Sequence, residues 1–173
     1  MANPSSNKPL AITMGDAAGI GPEIIAKAFR DQPALMHNAF VVGDVATLRR
    51  AAQVVAGAGH PALPVAVIAS VNEVASVPPR CIPVLQIGLP LAPVQWGAVS
   101  SAAGAMVGRC VEWAADAALR GDICALVTAP LHKEALAAAG LQTHDNLFTR
   151  DGVLVATQLQ IETELLDAVA PLR

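Results

Sequence analysis

Tyrosine is absent from this chain and the other aromatics are few, three Phe and two Trp in 173 residues. Such a chain cannot build the row of stacking rings on which single-stranded nucleic acid is held. Charge is sparse too: Asp, Glu, Lys and Arg make up 14% of the residues, leaving a net charge of −3 and a pI near 5.7. That balance supplies no long-range attraction for DNA, RNA or anionic lipid, so a small molecule or another protein is the expected partner. No run approaches the ~18 consecutive apolar residues of a membrane span. The opening MANPSSNKPL lacks the apolar core of a secretion signal. A soluble, cytoplasmic protein with no membrane or nucleic-acid partner is expected. Cys81, Cys110 and Cys124 are odd in number, far apart and free of any C-x-x-C pair. Neither a disulfide framework nor a zinc site is indicated, and buried free thiols are the expectation. With four histidines scattered along the chain and no H-x-x-x-H spacing, no metal site built by this chain alone is expected.

What is present is apolar and alternating. Hydrophobic residues make up 54% of the chain, enough for one sizeable core, though an alanine-rich one. Residues 9–14 read as a buried strand, and Pro22-Glu23 opens a helix to about Arg30, since proline suits the first turn and an acid there complements the helix dipole. AFVVGD (39–44) is a second strand, followed by a helix that ends at Gly57 and Gly59. LPVAVIAS (63–70) and CIPVLQI (81–87) are further strands, the second fitting an edge or a strand start because of Pro83. A long helix follows over 98–120, with Val99, Ala103, Met106, Cys110, Ala114 and Ala117 as its buried face. ICALVT (123–128) is the most strand-like run, and LHKEALAAAG (131–140) the last clear helix. This order predicts an α/β fold with a mainly parallel sheet and helices on both faces.

In such sheets ligands bind beyond the carboxyl ends of the strands. Three loops take that position: GDAAGIG after the first strand, Gly43-Asp44 after the second, and TAPLHKE after the strand at 123–128. The first contains Gly15, Gly19 and Gly21, and runs into a helix N-terminus suited to an anion. Its spacing is neither G-x-G-x-x-G nor a Walker loop. A tight structural turn is the other reading. Asp16 offers an acceptor for a ligand hydroxyl, or a cap for the turn. Thr128, His132 and Lys133 together suit an anionic, hydroxylated substrate, although a surface lysine and a structural histidine are the plain alternatives. Asp16, His132 and Lys133 are the catalytic candidates. Gly15, Asp16, Gly19, Gly21 and Thr128 are the candidates for a substrate- or anion-binding loop. His37 and His60 are assigned no role.

ITMGDAAGIGPEI closely resembles the opening signature of the 4-hydroxythreonine-4-phosphate dehydrogenase family, in which proline usually stands at the position of Ala17. The likeness continues through VVGDVATLRRAA (41–52), residues 97–122 and ALVTAPLHKEALAAAG (125–140), where the family typically has Asn at the position of His132. The resemblance implies an isocitrate/isopropylmalate dehydrogenase-like fold and a homodimer. It also implies NAD-dependent oxidation and decarboxylation of 4-hydroxythreonine 4-phosphate in pyridoxal 5′-phosphate (vitamin B6) biosynthesis, with a divalent metal held by histidines. The likeness stops near Gly140. Thr143-His144-Asp145-Asn146 does not reproduce the family's Gly-His-Thr-Glu motif, and no histidine follows His144. Residues 1–140 are therefore expected to form a family-like α/β region and 141–173 a divergent tail from truncation or frameshift, containing a strand and then a helix or a short amphipathic segment. The metal ligands have no counterpart. A catalytically inactive fragment, with at most anion binding or association with a full-length relative, is the competing expectation.

Overall fold

The computed structural model describes residues 8–141, 147–150 and 153–156. Five strands, β1 (Leu10–Thr13), β2 (Ala39–Gly43), β3 (Val65–Ile68), β4 (Ile82–Gln86) and β5 (Ala125–Thr128), form one parallel sheet in the order β3-β4-β2-β1-β5. β2 lies at the centre and is buried at every position, as its unbroken apolar run requires when both sheet faces are covered. Two more strands, β6 (Leu147–Arg150) and β7 (Val153–Ala156), pair antiparallel as a separate ribbon. Apart from Leu141, the other residues of the expected tail lie outside the described residues.

Helices α1 (Gly21–Asp31) and α2 (Val45–Ala56) follow β1 and β2, and both chain connections step toward the β3 edge. α3 (Ser101–Leu119) leads from β4 back to β5 at the opposite edge. Because parallel crossovers are right-handed, this reversal puts α1 and α2 on one face and α3 on the other. The contacts agree: α1 packs on α2, while α3 crosses β1, β2 and β5. Alternation along β2 sends Phe40 to the α3 side, where it meets Trp113 edge to face at 6.0 Å. α4 (Lys133–Ala138) packs on α3. It comes so close that a Cβ at Gly104 would strike the Ala135 carbonyl, and one at Gly108 would strike the Leu141 side chain. Each helical glycine forgoes about 1 kcal/mol of propensity, and close packing of α4 is what that allows. Among the described residues no helix is long and apolar enough to cross a membrane.

Three expectations need correction. Of the two places expected for Pro83, the edge is excluded because β4 is an interior strand, while the strand start agrees, since Pro83 is the second residue of β4. The sheet tolerates it because the ladder between β2 and β4 begins at Val41–Val84, one residue beyond the missing N–H, while Ile82 donates to Pro64 O on the other side at 2.8 Å. Val99 is not part of the buried face of α3: the helix starts after the cap residue Ser100, and Val99 is 50% exposed, whereas Ala103, Met106, Cys110, Ala114 and Ala117 are buried. The cysteines also divide. Cys110 is buried, Cys81 is half-buried and Cys124, just before the edge strand β5, is exposed.

Burial pushes the Cys110 thiol up to about 12, from an ordinary 9.0. The group therefore stays neutral in the fold while it ionises in the unfolded chain. Its contribution to stability is complete below the unfolded value and falls as pH rises from 9.0 toward about 12. The slope is at most ~1.4 kcal/mol per pH unit. Urea midpoints over that range should fall with pH, and Cys110→Ala should remove that part of the slope while leaving Cys124 open to alkylation.

Candidate functional site

The loop after β1 turns at Gly15, whose φ of +73° favours glycine. The turn is also pressed against the loop after β5. A Cβ on Gly15 would lie 2.5 Å from Pro130 O, and one on Gly21 would lie 2.7 Å from Met14 O and 3.2 Å from the Ala129 methyl. Two backbone bonds join the loops: Asp16 N–H donates to Pro130 O at 3.0 Å, and Ala129 N–H donates to Thr13 O at 3.1 Å. Gly19 is less constrained, since its nearest neighbour would be Asp16 Cβ at 3.4 Å.

The loop after β1 leads to α1 on one face of the sheet, and the loop after β5 leads to α4 against α3 on the other. The crevice between β1 and β5 is therefore the topological switch point, where open parallel sheets bind their ligands. Gly15, Asp16, Gly21 and Thr128 meet there. Thr128 ends β5 opposite Thr13 of β1, and Thr13 Oγ1 is buried with no partner among the described residues. Asp16 is 4% exposed; its Oδ1 accepts from Ala18 N–H at 3.0 Å and its carbonyl accepts from Gly19 N–H at 3.1 Å. Those bonds occupy N–H groups that a phosphate cradle would need, so the loop offers a hydroxyl acceptor more readily than a ring of anion donors.

His132 is the N-cap of α4, its Nδ1 accepting from Ala135 N–H at 3.3 Å. Lys133 begins the helix and is exposed. Because Asn is among the best N-cap residues, His132→Asn should leave stability unchanged or raise it by up to ~1 kcal/mol, and His132→Ala should lower it by about as much. Paired urea titrations of the two variants check this. His37 and His60 are exposed and stand away from the crevice.

Sequence reasoning placed Gly43-Asp44 at this edge but missed how Asp44 and Arg50 hold it together. Asp44 is fully buried, and its four acceptor bonds tie three segments. Oδ2 takes Thr47 N–H and Oγ1, both at 2.8 Å; Oδ1 takes Gln86 Nε2 at 3.3 Å and Leu91 N–H at 3.1 Å. Arg50 reaches from α2 to Ala17 O at 2.8 Å and Val94 O at 3.0 Å, and its guanidinium lies 5.1 Å from the Trp96 ring centre. Gly97 N–H adds a bond to Ala18 O at 2.8 Å. D-x-x-T at residues 44–47 is a readable helix cap, whereas nothing local announces the reach of Arg50.

A family profile described as "Pyridoxal phosphate biosynthetic protein PdxA" matches residues 35–151. The chain belongs to the PdxA family. A D-threonate 4-phosphate dehydrogenase of Salmonella typhimurium is 44% identical over 77% of this chain and 40% of its own length. One from Bordetella bronchiseptica is 45% identical, over 80% of this chain and 39% of its own length. A crystal structure of 4-hydroxythreonine-4-phosphate dehydrogenase from Klebsiella pneumoniae superposes with a TM-score of 0.68 at 38% identity, covering 79% of this chain and 41% of that one. This PdxA chain thus spans about two fifths of the length of the curated relatives it matches. The metal expected for the family finds no fit: among the described residues no group of three or more His, Cys, Asp or Glu side chains is placed to hold an ion.

Proposed function

We propose that this chain carries the switch-point edge of an NAD-dependent dehydrogenase for a 4-phosphorylated, threonine-like hydroxy acid. The substrate is 4-hydroxythreonine 4-phosphate or D-threonate 4-phosphate, and in the first case oxidation and decarboxylation serve pyridoxal 5′-phosphate biosynthesis. The joining of the β1 and β5 loops at one crevice, in a chain 44% identical to a D-threonate 4-phosphate dehydrogenase, carries this proposal. Asp16 accepts a hydrogen bond from a substrate hydroxyl, and Thr128 fixes the neighbouring oxygen. Gly15, Gly19 and Gly21 let backbone approach the ligand. The substrate phosphate turns away from the Asp16 carboxylate, since like charges repel, and toward Lys133. NAD, when bound, supplies the hydride acceptor. No step is assigned to a metal, for which these residues make no site. We extend the proposal to a cytoplasmic homodimer with the isocitrate/isopropylmalate dehydrogenase-like architecture, in which residues 1–140 are the α/β N-terminal region and 141–173 diverge.

NADH formation with each phosphorylated acid tests the activity. Asp16→Asn should lower kcat/KM about a hundredfold, the equivalent of ~2.7 kcal/mol of transition-state binding. Among the described residues no group of three or more metal-donating side chains comes together, and the second reading is an inactive chain that binds anions or pairs with a full-length relative. Absence of NADH with retained phosphate binding, or co-elution with such a relative, would select it.

A further inference from the structure

At the end of the sheet opposite the crevice, where β2 and β4 begin, a partly open cavity of about 210 Å³ is lined by Asn38, Ala39 and Cys81. Most of its walls are rings: Phe29, Pro33, Pro78, Pro79 and Pro83, with Met36 beside them. Proline has no side-chain rotamers to lose, so these walls are set before any ligand arrives. The polar side chains are those of His37, Asn38 and Arg80, and no acidic side chain lines the cavity. Arg80 enters no ion pair among the described residues, whereas Arg30, in an adjoining hollow that Arg80 also lines, is held by Asp31 at 2.7 Å. Asn38 and Arg80 are also the two non-glycine residues with left-handed backbone among the described residues, at φ +61° and +65°. Asparagine tolerates that conformation and arginine rarely adopts it; strained backbone of this kind gathers at binding sites. The guanidinium keeps its charge at any working pH and presents a planar fork that fits a carboxylate. Size narrows the ligand further. An apolar cavity of ~150 Å³ takes up benzene, so one ring and a carboxylate fill this space, and a drug-sized molecule does not fit.

We infer that this cavity binds a small aromatic carboxylate, its ring among the prolines and Phe29, its carboxylate on the Arg80 guanidinium, and His37 as a second donor. The inference is independent of the proposed dehydrogenase function. The crevice stands at the carboxyl ends of β1 and β5, the cavity at the amino ends of β2 and β4, and no crevice residue lines it. Occupancy here therefore does not compete with a substrate at Asp16 and Thr128. Cys81 lines the cavity and is half-buried, which gives the site its own reporter.

Iodoacetamide labelling of the purified full chain, read at each cysteine by peptide mass spectrometry, tests this with sodium benzoate as the probe. Cys124 is exposed and does not line the cavity, so it is the control within the molecule. Benzoate at millimolar concentration should slow labelling of Cys81 saturably and leave Cys124 unchanged. Arg80→Gln removes the charge but makes the same demand on the backbone, and should weaken the protection about tenfold, equivalent to ~1.4 kcal/mol. Saturation-transfer NMR on the benzoate ring protons reads binding without the thiol. Transfer that Arg80→Gln diminishes upholds the site even where Cys81 labels too slowly to follow. Absence of transfer, transfer indifferent to Arg80→Gln, equal slowing of Cys124, or protection by benzyl alcohol as strong as by benzoate overturns it. Hexanoate is run beside benzoate, and tighter binding of the flexible acid would overturn the choice of an aromatic ligand.

Discussion

Replacing Asp44 by alanine should cost about 3–5 kcal/mol of unfolding free energy, a large share of the ~5–15 kcal/mol available to a small domain. The estimate comes from the donors left behind. Thr47 N–H and Oγ1, Gln86 Nε2 and Leu91 N–H all point at this one carboxylate. The loss combines a helix N-cap, worth ~1 kcal/mol, with several buried donors stranded at ~1–3 kcal/mol each, partly relieved by water entering the gap. Asp44→Asn keeps one oxygen of nearly the same shape but offers two donors where acceptors are needed, so its cost should fall between wild type and alanine. Urea unfolding of the three proteins checks the order. A loss below ~1 kcal/mol in the alanine variant would mean that the three segments hold together without the clasp. The consequence reaches the ligand edge, because Leu91 opens the segment that ends at Trp96 and Gly97. Loosening it should raise proteolysis near residues 88–97 before the sheet itself unfolds.

The regular part of this architecture was legible because it depends on local pattern. Unbroken apolar runs such as AFVVG mark strands buried on both faces, and Pro22, Gly57 and Gly121 mark helix ends through their own backbone restrictions. The glycine loop and TAPLHKE could be assigned to one sheet edge from strand order alone. The failures share one cause, which is dependence on residues distant in sequence. Pro83 was read as the sign of an edge or a strand start; it is the second residue of an interior strand, and whether its missing N–H matters depends on where the β2 ladder starts. Gly104 and Gly108 look like weak points of α3 until α4 is seen lying across them. Arg50 looks like a surface arginine of α2; only the fold shows it spanning Ala17, Val94 and Trp96. His132 was weighed as a ligand contact or a structural residue within a helix read from Leu131; the helix begins at Lys133 and leaves His132 as its cap.

Gly15→Ala should separate the two loops that make the crevice, and this is the sharpest test of why the segment TMGDAAGIGPE is so bare. Two costs add. The left-handed backbone at φ +73° penalises any Cβ by roughly 1–2 kcal/mol. The new methyl would stand 2.5 Å from Pro130 O, a backbone atom that cannot swing aside as a side chain can. Relief requires the β1 loop to move from the β5 loop, at an overpacking cost of about 1–3 kcal/mol, and with it the Asp16 N–H bond to Pro130 O is stretched. A total near 2–4 kcal/mol is expected in urea unfolding. Helical circular dichroism at low denaturant should stay close to wild type, because no helix contains the residue. On the proposed function, binding of a phosphorylated hydroxy acid should fall much further than stability does, since the candidates Asp16 and Thr128 would be moved apart. Gly19→Ala is the control within the same loop. Its methyl would meet only Asp16 at 3.4 Å, and the glycine there has no left-handed φ. It should therefore cost less than ~1 kcal/mol. Equal losses at the two positions would show that the loop needs glycine for flexibility in general; a loss confined to Gly15 ties it to the meeting of β1 and β5.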